Sequence, residues 1–271
     1  MIDIIQILQY SFIQKAFISG SFVAITCSSL GLFLVLRKMS LIGDGLSHVS
    51  FGAIALGLFF GLYPLYVAIP VVILSSILIL KISEKARIYG DAAIGIVSAV
   101  GIASGIILAS VSRGFNVDLF SYLFGNILAI SNNEAILSII LSLIVLLVIY
   151  FFYWDLFSAT FDEEYAKTTG IKTNFINTLL TILTAITVVL SIKIVGIMLV
   201  SALLILPAVT ALQISKKFKT TLFLGGIISL ISVILGITVS YILDLPPGAT
   251  IVMLNAIFFA LALTYKKITK N

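Results

Sequence analysis

Long apolar runs separated by short polar breaks dominate the chain. They cover residues 16–36, 41–62, 65–80, 92–111, 135–153, 175–192, 194–212, 222–241 and 249–265. Most approach the ~20 residues that a helix needs to cross ~30 Å of hydrocarbon. The pattern predicts an all-α, polytopic helical membrane protein of about eight or nine transmembrane helices, forming one domain over 1–271. Tyr63-Pro64 and the Lys193 region read as tight hairpins. Asp244-Leu245-Pro246-Pro247-Gly248 is a firmer break, since two prolines and a glycine cannot continue a helix. Residues 115–130 are only half apolar, and either re-enter the membrane or hold a further crossing.

Composition agrees with the pattern. Hydrophobic residues make up 61% of the chain and charged residues 10%, an apolar content that a soluble domain does not need. The basic excess falls in short loops, so it indicates membrane orientation and no nucleic-acid partner. Placing the C-terminus in the cytoplasm puts thirteen Lys and Arg residues inside, in segments 37–38, 81–87, 167–172, 216–219 and 266–270. Only Lys15, Arg113 and Lys193 then fall outside. Nine spans would put the N-terminus outside, and no removable signal peptide is evident. Asp118, Glu134 and Asp244 map to outer loops, as solvated charges.

Few polar residues sit inside the apolar runs. In Leu41-Ile42-Gly43-Asp44-Gly45-Leu46-Ser47-His48, a helix places Asp44 and His48, the sole histidine, on one face about 6 Å apart along its axis. Counting from Lys38, His48 lies about 15 Å deep, near the midplane. An intramembrane carboxylate is costly without a partner or a polar cavity, and oxygen and imidazole donors suit zinc, iron and manganese. The plainer alternative is a buried pair that locks helices together. Ser47 and Ser50 are expected to bond backbone carbonyls, and Cys27, the one cysteine, to pack as a small hydrophobe. Pro207 either kinks its helix for packing or frees carbonyls along a pathway. Gly57-x-x-x-Gly61, Gly101-x-x-x-Gly105, Gly95, Gly225, Gly226 and Gly236 read as helix-packing positions. Segment 161–171 begins with Asp162 and Glu163 and ends at Gly170, as a short capped helix would.

The chain has no G-x-x-x-x-G-K-[ST] loop, no G-x-S-x-G and no H-E-x-x-H, so catalysis on this polypeptide is not expected. A transporter working alone would couple to ions through intramembrane acids, and Asp44 is the only acid placed inside a span.

Four motifs resemble one family, the permease subunits of ATP-binding-cassette importers for zinc, manganese and iron. Leu36-Arg37-Lys38-Met39-Ser40-Leu41-Ile42-Gly43-Asp44-Gly45-Leu46-Ser47-His48 looks like its L-R-R-x-S-L-x-G-D-x-L-S-H signature. Tyr122-Leu123-Phe124-Gly125-Asn126-Ile127-Leu128 resembles a second element, Val195-Gly196 with residues 199–211 a third, and Gly248-Ala249-Thr250-Ile251-Val252 the terminal one. The resemblance implies a type II importer fold in the plasma membrane: a homodimer of permeases, two cytoplasmic ATPases that bind the ATP, and an extracytoplasmic metal-binding protein. It implies that Asp44 and His48 contact the metal in transit, with no cofactor held on this chain. Segment 161–171 matches the family's coupling helix, which meets the ATPase through the region of Asp162, Glu163, Ala166 and Gly170, the last two at its small-residue positions. Residues 46–50 and 201–204 look more like the zinc branch, so zinc is the expected cargo, with manganese or iron as the alternative. A stand-alone secondary metal transporter is the competing class.

Overall fold

In the computed structural model, residues 10–86, 89–112, 122–127 and 130–270 are described; Arg87, Arg113, Asp118 and most of segment 115–130 lie outside them. The helices are α1 (Ser11–Leu36), α2 (Ile42–Phe59), α3 (Pro64–Ala86), α4 (Gly90–Val111), α5 (Asn132–Phe151), α6 (Tyr153–Phe161), α7 (Glu163–Thr168), α8 (Thr173–Val195), α9 (Val200–Ile214), α10 (Phe218–Leu243) and α11 (Pro247–Lys270). Among the described residues nine segments are long and apolar enough to cross a membrane: α1 to α5, α8, α9 with the 3-10 turn Ile197–Leu199 before it, α10 and α11. Two prolines stand where a helix tolerates them: Pro64 and Pro247 each open a helix, where the missing N–H has no partner to lose, whereas Pro70 and Pro207 lie inside α3 and α9.

The bundle has a core and a shell. Helices α1, α2 and α8 are the most enclosed, while α3, α4, α5, α10 and α11 turn one flank outward. The side chains define two edges. At one, Phe33 meets Phe218 with ring centroids 5.3 Å apart, Phe152 meets Phe175 at 5.8 Å, and Lys266 Nζ donates to Gln213 Oε1 at 2.7 Å. This edge holds the ends of α1, α5, α9 and α11 and the starts of α8 and α10. At the other, the end of α8 meets the start of α11, where a Cβ on Gly248 would lie 2.5 Å from the Val195 carbonyl oxygen.

Small residues set how closely the helices approach. A Cβ on Gly101 would lie 2.7 Å from Val49 Cα, and one on Gly236 would lie 2.4 Å from Ile251 Cγ1, so these glycines pack as expected. Gly61 and Gly95 do not: neither has a neighbour within 4 Å, and Gly61, at φ +65, serves the turn before α3. Pro207 is buried within α9. One turn earlier the Leu204 carbonyl faces α1, its oxygen 1.8 Å from where a Gly31 Cβ would stand, so this stretch packs helix on helix. Gly31→Ala would drive a methyl into that backbone, and overpacking a tight core costs about 3 kcal/mol or more when nothing can give. The expected result is a large loss of monodisperse protein on extraction and a lowered melting temperature; wild-type yield and melting would contradict the packing.

Candidate metal pathway and coupling site

Glycines build the surroundings of Asp44. A Cβ on Gly43 would meet Leu204 Cδ1 of α9 at 2.7 Å, and one on Gly45 would meet Ile94 Cγ2 of α4 at 2.4 Å. Each glycine thus admits a neighbouring helix on one side, and Asp44 stands between the two glycines in the chain. Further along, Gly52 lies against the Gly101 backbone. From Ile42 to Ala55, every residue of α2 is buried except Asp44 and His48. Their side chains are 48% and 30% exposed, with His48 Nε2 3.5 Å from Asp44 Oδ2. That separation is too long for a tight hydrogen bond, so carboxylate and imidazole keep lone pairs free for a third partner. The neighbouring hydroxyls do not compete: Ser47 donates to the Asp44 carbonyl at 2.7 Å and Ser50 to that of Leu46 at 2.8 Å.

The described residues hold no group of three or more His, Cys, Asp and Glu side chains that could share a metal. Cys27 is buried against Ser191 Oγ at 3.0 Å, between α1 and α8. It belongs to the core.

The segment expected to be a capped helix is one. Asp162 caps α7 by accepting from the Tyr165 N–H at 2.9 Å, and Gly170 follows at φ +89, a left-handed exit that suits glycine. One detail differs. Ala166, at one of the small-residue positions, is fully buried within this chain. Its smallness lets α7 lie flat on its own bundle, and Glu164, Tyr165, Lys167 and Thr168 face outward instead. Glu163 points back. Its carboxylate lies 3.1 Å from Lys167 Nζ and 3.6 Å from the Arg37 guanidinium, and it accepts from Asn177 Nδ2 at 3.4 Å. Arg37 also donates to Asn177 Oδ1, so α7, α8 and the end of α1 share one polar knot. Burial tends to raise the Glu163 carboxyl, but the bond and charge of Lys167 and the charge of Arg37 outweigh it and hold it below the usual carboxylate range.

The opposite edge has a knot that the sequence reading missed. Glu134, expected as a solvated loop charge, and Lys193, expected in an outer hairpin, form a buried ion pair at 2.9 Å, with side chains 5% and 13% exposed. Lys193 lies within α8, its Nζ 4.2 Å above the Tyr122 ring, and the chain turns three residues later at Gly196. There Gly196 and Gly125 interlock, both at positive φ, with backbone 2.5 Å from either's missing Cβ. A signal for half of this was present: Ser131-Asn132-Asn133-Glu134 is the S-x-x-E pattern of a capping box, and Ser131 and Glu134 form both of its bonds.

A membrane bundle with a central helix that is covered from Ile42 to Ala55 except at an acid and an imidazole has the build of a permease for a small polar solute. Residues 9–266 match the model of the ABC 3 transport family. The chain is 37% identical to the manganese transport system membrane protein MntC of Halalkalibacterium halodurans, over 95% of this chain and 88% of that one. It is 35% identical to a probable iron transport system membrane protein of Haemophilus influenzae, over 96% of each. Among solved structures, PsaBC from Streptococcus pneumoniae in complex with Fab superposes with a TM-score of 0.86, at 35% identity, over 95% of this chain and 93% of that one. The chain belongs to the ABC 3 transport family, as a permease subunit with the family's all-helical fold.

Proposed function

We propose that the chain forms a homodimer in the plasma membrane and imports a divalent transition metal, manganese by preference, past facing Asp44–His48 pairs. The observation that carries this is the exposure of those two side chains alone on the inner stretch of a buried helix. Transition metals take four to six ligands, and one chain offers two donors here. A second copy related by a two-fold axis supplies the same two, giving two oxygens and two nitrogens before water is added. Partial coordination suits transit, because an ion held by a full protein shell leaves slowly.

Zinc was the expected cargo from the sequence. The relatives' names carry manganese and iron instead, and oxygen and imidazole donors without thiolate serve manganese as well as zinc. Manganese is therefore the cargo to test first. A strain lacking its own manganese and zinc importers, complemented with this chain and its partners, is expected to take up radioactive manganese, with excess cold manganese competing better than zinc. Zinc uptake without manganese uptake would overturn the cargo while leaving the permease standing.

With no phosphate-binding loop on this chain, the energy comes from separate ATPase subunits, and an extracytoplasmic protein delivers the metal. The ATPase docks on the outward face of α7, which puts that edge, with the chain's C-terminus, in the cytoplasm. The thirteen-to-three split of basic residues supports the same orientation. A stand-alone transporter would need a second free acid within the spans. Glu134, in the first turn of α5, is such an acid by position, but Lys193 neutralises it, and Asp91, in the first turn of α4, is exposed at the end of its span.

A further inference from the structure

Helix α6 has two unlike flanks. Leu156 and Ala159 are buried against the bundle. Tyr153, Trp154, Phe157 and Phe161 share the other flank and join Phe218 of α10 in one ring cluster, with Phe157 centroids 4.7 Å from Phe161 and 5.0 Å from Phe218. By the helical repeat, Asp155 projects away from that flank. Beside the rings is a cavity of about 490 Å³ lined by Tyr150, Phe151, Tyr153, Trp154, Lys219 and Leu222. Trp154 is 65% exposed and Tyr150 and Phe151 are 76% exposed, so the walls are aromatic and open. The one cation, Lys219 Nζ, stands 5.1 Å over the Trp154 ring and 5.8 Å over that of Tyr153. No described residue forms an ion pair with it, and Lys216 and Lys217 lie exposed next to it.

The cavity opens where α5 ends and α10 begins, at the edge of the membrane-spanning bundle. Tyr and Trp settle at headgroup depth, with ring in hydrocarbon and polar atom in the interface. One turn deeper, Leu147 of α5 and Phe223 of α10 are exposed, an apolar track below a cationic mouth. Lysines gathered at this depth select negative headgroups, and an acyl chain fills the track. We infer that this cavity binds an anionic phospholipid, with its phosphate at Lys219 and its acyl chain along Leu147 and Phe223.

Trp154 is the only tryptophan in the chain, so the protein carries its own reporter. In phosphatidylcholine vesicles, brominated phosphatidylglycerol at a low mole fraction should quench Trp154 about fivefold more than brominated phosphatidylcholine at the same fraction, the enrichment that one lysine at an anionic surface provides. Lys219→Gln should bring the two to parity, while Lys219→Arg, and Lys267→Gln on the exposed end of α11, should keep the excess. Equal quenching in the wild type, or an excess that survives Lys219→Gln, overturns the site. Protection of Trp154 from both brominated lipids also overturns it, because the cavity then faces protein.

Discussion

Replacing His48 by alanine, or Asp44 by asparagine, is expected to reduce metal uptake at least ~100-fold, because losing even an outer partner of a metal ligand costs about 10–100-fold. In a two-fold dimer each substitution acts twice, so His48→Ala leaves the metal two protein donors. Asp44→Asn keeps the size and the oxygen but loses the charge that compensates a dication's lost water. Assembly should survive, since both side chains are partly exposed and their mutual contact, at 3.5 Å, holds no other helix. Ser47→Ala is the matched control: its hydroxyl bonds only its own helix, and removing such a bond costs about 1 kcal/mol, so uptake should stay near wild type. Uptake measured beside membrane abundance separates transport from folding. Normal uptake by both the Asp44 and His48 variants at wild-type abundance would sink the site.

What the sequence disclosed follows from how far apart the interacting residues lie. Asp44 and His48 are four residues apart on one helix, so their shared face follows from the helical repeat alone. The spans were legible for a similar reason: crossing hydrocarbon is a demand on each segment separately. Glu134 and Lys193 are far apart in the chain, and each alone looks like a charge at the end of an apolar run; only the folded bundle brings them to 2.9 Å. Glu134 therefore reads as a solvated charge and the Lys193 region as a hairpin, when the chain turns at Gly196. Ala166 is legible as small, but its burial against its own bundle rests on contacts that no local pattern shows. Glycines divided in the same way: Gly101 meets a neighbouring helix, whereas Gly61 serves a turn.

Breaking the Arg37–Glu163 contact should uncouple hydrolysis from transport. Arg37 follows the last residue of α1, its side chain is 8% exposed, and it ties Glu163 at the start of α7 to Asn177 of α8. Five residues later α2 begins, carrying Asp44 in its first turn. The link between is stiff: Lys38 is held at φ +58, and the Met39 N–H reaches back to the Leu34 carbonyl at 2.8 Å, the six-to-one bond of a Schellman turn. Motion imposed on α7 would therefore reach the helix that carries Asp44 through one guanidinium and one tight turn. Arg37→Gln and Glu163→Gln should each lower metal moved per ATP by ~10-fold while hydrolysis stays within about twofold, a loss in the range of ordinary coupling energies. Arg37→Lys should fall between, because an ammonium cannot fork to Glu163 and Asn177 together. Tyr165→Ala, on the outward face, should weaken ATPase capture instead. The Glu163 carboxyl is held below its ordinary range, so its contribution is complete above the unfolded value of about 4.3 and is lost only as pH falls through the lower folded value. Coupling should then be flat with pH near neutrality in the wild type. A wild-type ratio of metal to ATP in both Gln variants, measured in the reconstituted transporter, would show that α7 drives the pathway by another route.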